Sequence, residues 1–143
     1  MTRTFDDNWA VRIVHTPDDA YDTAENYGTW VDMRGFRRCS FLPISGALDG
    51  NTVCKVYEAT SAAGADAAEI DTALRGTFAN GSDDALPGII TVLESDLTAG
   101  YNYVTLSVAS AGQDPFACVA VLGEPYEAPV DNSGTYCAFN LGG

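Results

Sequence analysis

The chain holds one histidine, His15, and four cysteines, Cys39, Cys54, Cys118 and Cys137, so the chemistry open to it is narrow. A hydrolytic triad needs a base oriented by a third group beside an activated nucleophile. His15 follows a short strand-like run and precedes an acidic segment, where a surface or edge histidine is the simpler reading. No Gly-x-Ser-x-Gly turn and no glycine-rich phosphate loop occurs. The cysteines are widely spaced, with no Cys-x-x-Cys and no histidine at ligand spacing, which argues against zinc. Cys39, Cys54 and Cys118 lie in strand-like runs and read as small buried hydrophobes. Their spacing selects no disulfide.

Carboxylates are abundant, as Asp6-Asp7, Asp18-Asp19 with Asp22, and Asp83-Asp84. A glycosidase needs two acids facing each other across a substrate, which adjacency in sequence does not supply. Calcium would use clustered oxygens, but no Asp-x-Asp-x-Asp-Gly loop occurs, and a solvated acidic loop is the preferred reading. These residues imply no catalytic set, no resident metal and no cofactor. The positive charge is concentrated instead: Arg34, Arg37 and Arg38 fall within five residues of an otherwise acidic chain. They either neutralise carboxylates within the fold or pair with acids on a partner, where arginine is enriched. Four aromatics, Trp9, Tyr21, Tyr27 and Trp30, gather near the N-terminus and are candidate anchors on a partner. The alternative is that they fold back onto the domain.

The elements that must hold these side chains are strands. In Tyr101–Ser110, Val104, Leu106 and Val108 share one face while Tyr103, Thr105 and Ser107 share the other, the period of a half-buried strand. Phe116–Leu122 is apolar on both faces, which favours a central place in its sheet, with a subunit interface as the other answer. Trp9–Val14, Thr29–Met33, Phe36–Ile44, Asn51–Thr60 and Ile89–Leu93 continue the rhythm, with Asp49-Gly50 the strongest turn signal. Ala67–Leu74 is open between a short helix and an extended connection, since Ile70, Leu74 and Phe78 have helical spacing but Gly64 and Gly76 flank them closely. The expected architecture is all-β: an antiparallel β-sandwich or jelly-roll-like domain over residues 31–125. An extended N-terminal arm (1–30) precedes it and a C-terminal tail (126–143) follows, whose apolar stretch Tyr136–Leu141 needs cover.

One domain of 143 residues with 46% hydrophobic residues can bury a real core. Seven Lys and Arg against twenty Asp and Glu give a net charge of −13, and the sequence pI is near 4.1. Such a field repels nucleic acid and anionic membrane surfaces, so neither is an expected partner. The opening residues contain no apolar signal-peptide core, and no run approaches the roughly 20 apolar residues of a membrane span.

The segments Met33–Cys39, Val53–Thr60, Tyr101–Val108 and Val119–Gly123 resemble a group of small head-associated proteins of tailed bacteriophages, some of them cement or decoration proteins with β-sandwich folds. The resemblance covers roughly residues 31–123 and rests on strand cadence rather than on an active-site motif. It implies a non-enzymatic virion protein on the outer capsid surface, partnered by the major capsid protein and assembled in the host cytoplasm. A homo-oligomer is expected with it, a trimer above all, since threefold symmetry matches local axes of a shell. The alternatives are a tail or fibre module that binds host carbohydrate, and a head-completion (neck) protein.

Overall fold

The structure, a computed structural model, describes residues 8–127. The expected tail therefore lies outside the described residues except for Tyr126 and Glu127, as do the first seven residues of the expected arm.

Every sheet pairing among the described residues is antiparallel. One sheet, sheet A, orders its strands β1 (Ala10–Tyr21), β10 (Asp114–Pro125), β4 (Phe36–Ser45) and β8 (Ile90–Leu93). The other, sheet B, runs β2 (Asn26–Tyr27), β9 (Tyr103–Ser110), β5 (Thr52–Ala59) and β6 (Ala68–Glu69), with β3 (Val31–Asp32) also on β9 and β7 (Gly76–Phe78) also on β5. The chain passes repeatedly between the sheets, so the long strands that pair, β1 with β10, β10 with β4 and β5 with β9, are distant in sequence. The two inner faces share one core: Cys39, Phe41, Val92, Ala120 and Leu122 from sheet A meet Cys54, Val56, Val104, Leu106 and Val108 from sheet B. This is the expected all-β sandwich.

The both-sided apolar run at 116–122 is central, lying between β1 and β4, as its composition favours. Pro43 sits within β4 without breaking it. Its carbonyl accepts from Gly88 N at 2.8 Å, so its missing N–H faces the side where β8 has already ended.

The pairing corrects one expectation and closes one open reading. From Ala10 onward the segment expected as an arm is an edge strand, paired with β10 from Ala10↔Leu122 to Tyr21↔Asp114. Ala10, Val14 and His15 from this strand are buried. Backbone pairing asks nothing of side chains, and register shifts after Ile13, His15 and Asp18 carry the polar stretch along the edge. The open question at Ala67–Leu74 resolves to the two-residue strand β6 followed by a 3-10 turn, Thr72–Leu74. Asp71 starts that turn by accepting from Ala73 N at 2.8 Å. Ile70 and Leu74 pack against the core, which explains their helix-like spacing.

A buried carboxylate ties the ends of β5, β9 and β10 together. Asp114 accepts from Ser110 Oγ at 2.5 Å, Asp49 N at 2.6 Å and Thr52 Oγ1 at 3.0 Å. Burial works to raise its pKa, but these donors and the Gly50 N–H outweigh burial and hold it below the ordinary Asp value. The Asp49-Gly50 turn signal thus marks a loop fixed by a residue 65 positions away.

Candidate docking surfaces

Sheet A presents an apolar face to solvent. Strand register places Val11 beside Val121, Val119 between Ile13 and Leu42, and Ala117 beside Ile44. Their inward-facing neighbours Ala10, Phe41, Cys118 and Ala120 fill the core, so these residues point outward. Ile13 is 51% exposed, Ile44 49% and Leu93 46%, while Val11, Leu42, Val119 and Val121 are half-buried by one another. The outward face of a solvated antiparallel sheet ordinarily alternates to polar residues. Here Ser40 and Thr91, joined Oγ to Oγ1 at 2.9 Å, interrupt an otherwise aliphatic surface.

Cations and aromatics rim one end of that face. Trp9 lies over Gly123, where any side chain would strike the indole, and the Arg38 guanidinium stands 5.7 Å from the Trp9 ring centroid. Arg38 pairs with Glu124, yet its buried Nε donates to nothing. Arg37 lies over the Tyr126 ring at 5.1 Å, and the Tyr126 hydroxyl donates to Glu94.

The outer surface of sheet B is polar and hydrogen-bonded. Glu25 accepts from Tyr57 OH at 2.8 Å and Ser107 Oγ at 3.0 Å, and Lys55 Nζ lies 3.1 Å from the same carboxylate. Burial works to raise the Glu25 pKa, but these partners hold it below the usual range, and burial with the Glu25 contact pushes the Tyr57 phenol well up. Thr105 and Ser107, expected on a half-exposed face, are buried: β2 and β3 pair alongside β9, Ser107 Oγ donates to Glu25, and Thr105 Oγ1 donates to Thr29 O at 3.1 Å. Tyr27 stacks on Trp30 at 6.1 Å between centroids and meets Tyr57 edge-on at 5.0 Å. Arg34 donates to both oxygens of Asp32 and to Tyr103 OH, lying 5.5 Å from that ring. The hydrogen bonds from Arg34 hold the Asp32 carboxyl below its ordinary pKa.

The seven candidate partner residues therefore do not form one site. Trp9, Arg37 and Arg38 belong to one end of sheet A, and Tyr27, Trp30 and Arg34 to sheet B. Tyr21 turns inward, edge-on to Phe116 at 5.7 Å and hydrogen-bonded to His15. Arg34 and Arg38 both pair with carboxylates of the chain itself. Sequence reasoning passed over the aliphatic face of sheet A, whose signal was the both-sided apolar run at 116–122. A central position covers its edges and its inner side but leaves Val119 and Val121 half-open on the other.

His15, read as a surface or edge residue, lies on the edge strand β1, where its side chain is buried against Leu106 O of sheet B. Burial pushes the Cys39 and Cys54 thiols up to about 12, and raises Cys118 further, so the three are inert packing residues, as their strand positions indicate. Cys137 lies outside the described residues. Among the described residues no group of three or more His, Cys, Asp or Glu is arranged to hold a metal, and no helix is long and apolar enough to cross a membrane.

No protein-family model and no curated protein sequence matches the chain. Among solved structures, the SPBc2 prophage-derived protein YomS superposes with a TM-score of 0.52 at 16% identity, over 87% of this chain and 99% of that one. The VP2 subviral particle of infectious bursal disease virus gives 0.49 at 11% identity, over 85% of this chain and 34% of VP2. What this chain shares with YomS at that identity is the fold alone.

Proposed function

We propose that the protein is a non-enzymatic virion component, an auxiliary capsid protein that seats on the outer surface of a phage head and stabilises capsomer junctions. The observation that carries this reading is the aliphatic outer face of sheet A, Val11, Ile13, Leu42, Ile44, Val119 and Val121, on a small and strongly acidic domain. A contiguous apolar face rimmed by arginine and tryptophan has the composition of an interface centre and its edge. The strand order supports it by analogy. The order 1-10-4-8 in one sheet against 2/3-9-5-6/7 in the other is consistent with jelly-roll winding, which recurs in capsid and lectin domains, and YomS is prophage-derived. The occupant of the face is then the major capsid protein. A trimer would place three such faces around a local threefold axis, and attachment would stabilise the shell by binding only the assembled lattice.

The test uses heads stripped of the protein. Purified chain should bind expanded heads at hundreds of copies and raise their disruption temperature, with little binding to procapsids. The Ile13→Glu/Ile44→Glu variant should fold and fail to bind. Label confined to the tail tip, or about a dozen copies at the neck, overturns the cement reading for a tail module or a head-completion protein.

A further inference from the structure

The second surface has a different chemistry and an open groove. The aromatic run Tyr57–Tyr27–Trp30 crosses the outside of sheet B, and beyond Trp30 the surface sinks into a groove of about 450 Å³ between β1 and β3. Arg12, Thr29, Trp30, Asp32 and Tyr103 are among its walls. The indole is fixed in place. Gly64, at φ +63°, packs so closely on Trp30 Nε1 that no side chain fits between them, and Tyr27 stacks on the indole. The polar wall is fixed too: Arg34 Nε donates to Asp32 Oδ1 at 2.9 Å, Arg34 NH2 to Asp32 Oδ2 at 2.6 Å, and the same nitrogen to Tyr103 OH at 3.0 Å.

We propose that this groove binds a neutral oligosaccharide, with a pyranose ring against Trp30 and its hydroxyls on Asp32 and Tyr103. A sugar has both surfaces the groove offers: an apolar C–H face for an aromatic ring, and hydroxyls that donate to a carboxylate while accepting from a phenol. A purely apolar ligand would strip water from Asp32 and Tyr103 and return nothing. Nucleobases also stack on aromatic rings, but their phosphates meet the field of a chain with net charge −13. The same field disfavours uronic and sialic acids. The volume falls within the range of small-molecule clefts, and exposed Tyr27, stacked on Trp30, extends the aromatic surface beyond the groove. The inference does not rest on the shell reading, although the two surfaces adjoin: Arg12 and Ile13 of β1, at the edge of sheet A, complete the groove.

The chain has two tryptophans, so two indole N–H signals report on the two sheets separately in a ¹⁵N-correlated NMR spectrum. Cellohexaose, maltohexaose and mannohexaose are titrated into the full chain, with tri-galacturonate as the anionic probe. At least one neutral oligomer should move the Trp30 signal saturably with a Kd of roughly 10 μM to 1 mM, leaving Trp9 unmoved. Tyr103→Phe and Asp32→Asn should each weaken that binding about tenfold or more while the melting temperature holds. A Trp30 signal unmoved by all three neutral oligomers at about 10 mM overturns the proposal. So does affinity unchanged in both variants, and tighter binding of tri-galacturonate overturns the neutral class.

Discussion

His15 shows how one residue is fixed by the chemistry around it. Its Nε2 lies 2.7 Å from Leu106 O, an acceptor only, so Nε2 carries the proton. Nδ1, 3.1 Å from Tyr21 OH, accepts from that hydroxyl in the neutral ring, and a second ring proton would have to reverse this bond. Phe116 and Tyr21 pack edge-on against the imidazole. Burial lowers the His15 pKa below 6.5, partly opposed by the Leu106 carbonyl. Below pH 6.5 the unfolded chain therefore binds a proton that the folded chain refuses. Stability is fully present above that pH and declines as pH falls toward the folded pKa. The melting temperature should drop between pH 7.5 and pH 5, and His15→Gln, which keeps a donor and an acceptor, should flatten that drop. A slope identical in the variant would assign it to other groups. Asp114 acts in a separate window: its lowered pKa contributes stability above 3.8 that is lost only at more acid pH. None of this was legible in the sequence, because a lone histidine beside acids carries no sign of the carbonyl 91 residues away that orients it.

At the scale of elements, legibility followed side-chain pattern and failed where backbone pairing alone defines the strand. β9 and β10 show themselves through alternation and apolar runs, and both the inner face of β9 and the central place of β10 follow from those patterns. β1 does not. Trp9–Val14 alternates, but from His15 to Tyr21 the register shifts repeatedly and the residues are mostly polar, so the strand reads as a loop. The aromatics Tyr27 and Trp30 were legible as exposed candidates, while the groove beside them depends on β3 reaching β9, a two-residue pairing too short to leave a signal. The consequence can be tested by deletion. An arm laid on another surface could be removed without unfolding the domain. Removing residues 1–28 instead strips the edge strand from β10, removes Ala10, Val14 and His15 from the core and uncovers Ser107. The truncated chain should lose its cooperative thermal transition and aggregate. A sharp transition retained within about 5 °C of the full chain, a shift worth roughly 1 kcal/mol, would show that β1 contributes little.

Over the whole molecule, two features that look unrelated in the sequence act on each other. A net charge of −13 spread over one small domain makes any two copies repel, and the aliphatic face of sheet A gives them a reason to associate. At about 0.1 M salt the screening length is about 10 Å, so repulsion reaches across an encounter, whereas at about 1 M it is about 3 Å and only contact terms survive. Charge therefore guards the apolar face until a surface of better fit or opposite sign replaces the second copy. The free protein should sediment as a smaller species at low salt and self-associate as salt rises, the reverse of a complex held by ion pairs. Ile13→Glu/Ile44→Glu should abolish that rise and, because both side chains are about half exposed at 51% and 49%, cost at most about 1 kcal/mol of stability. Phe41→Ala, on the inner side of the same sheet at 0% exposure, should cost about 3–5 kcal/mol. Those two results would separate a surface kept for a partner from one required for folding. Self-association that survives the double substitution would place the contact between copies elsewhere than on sheet A.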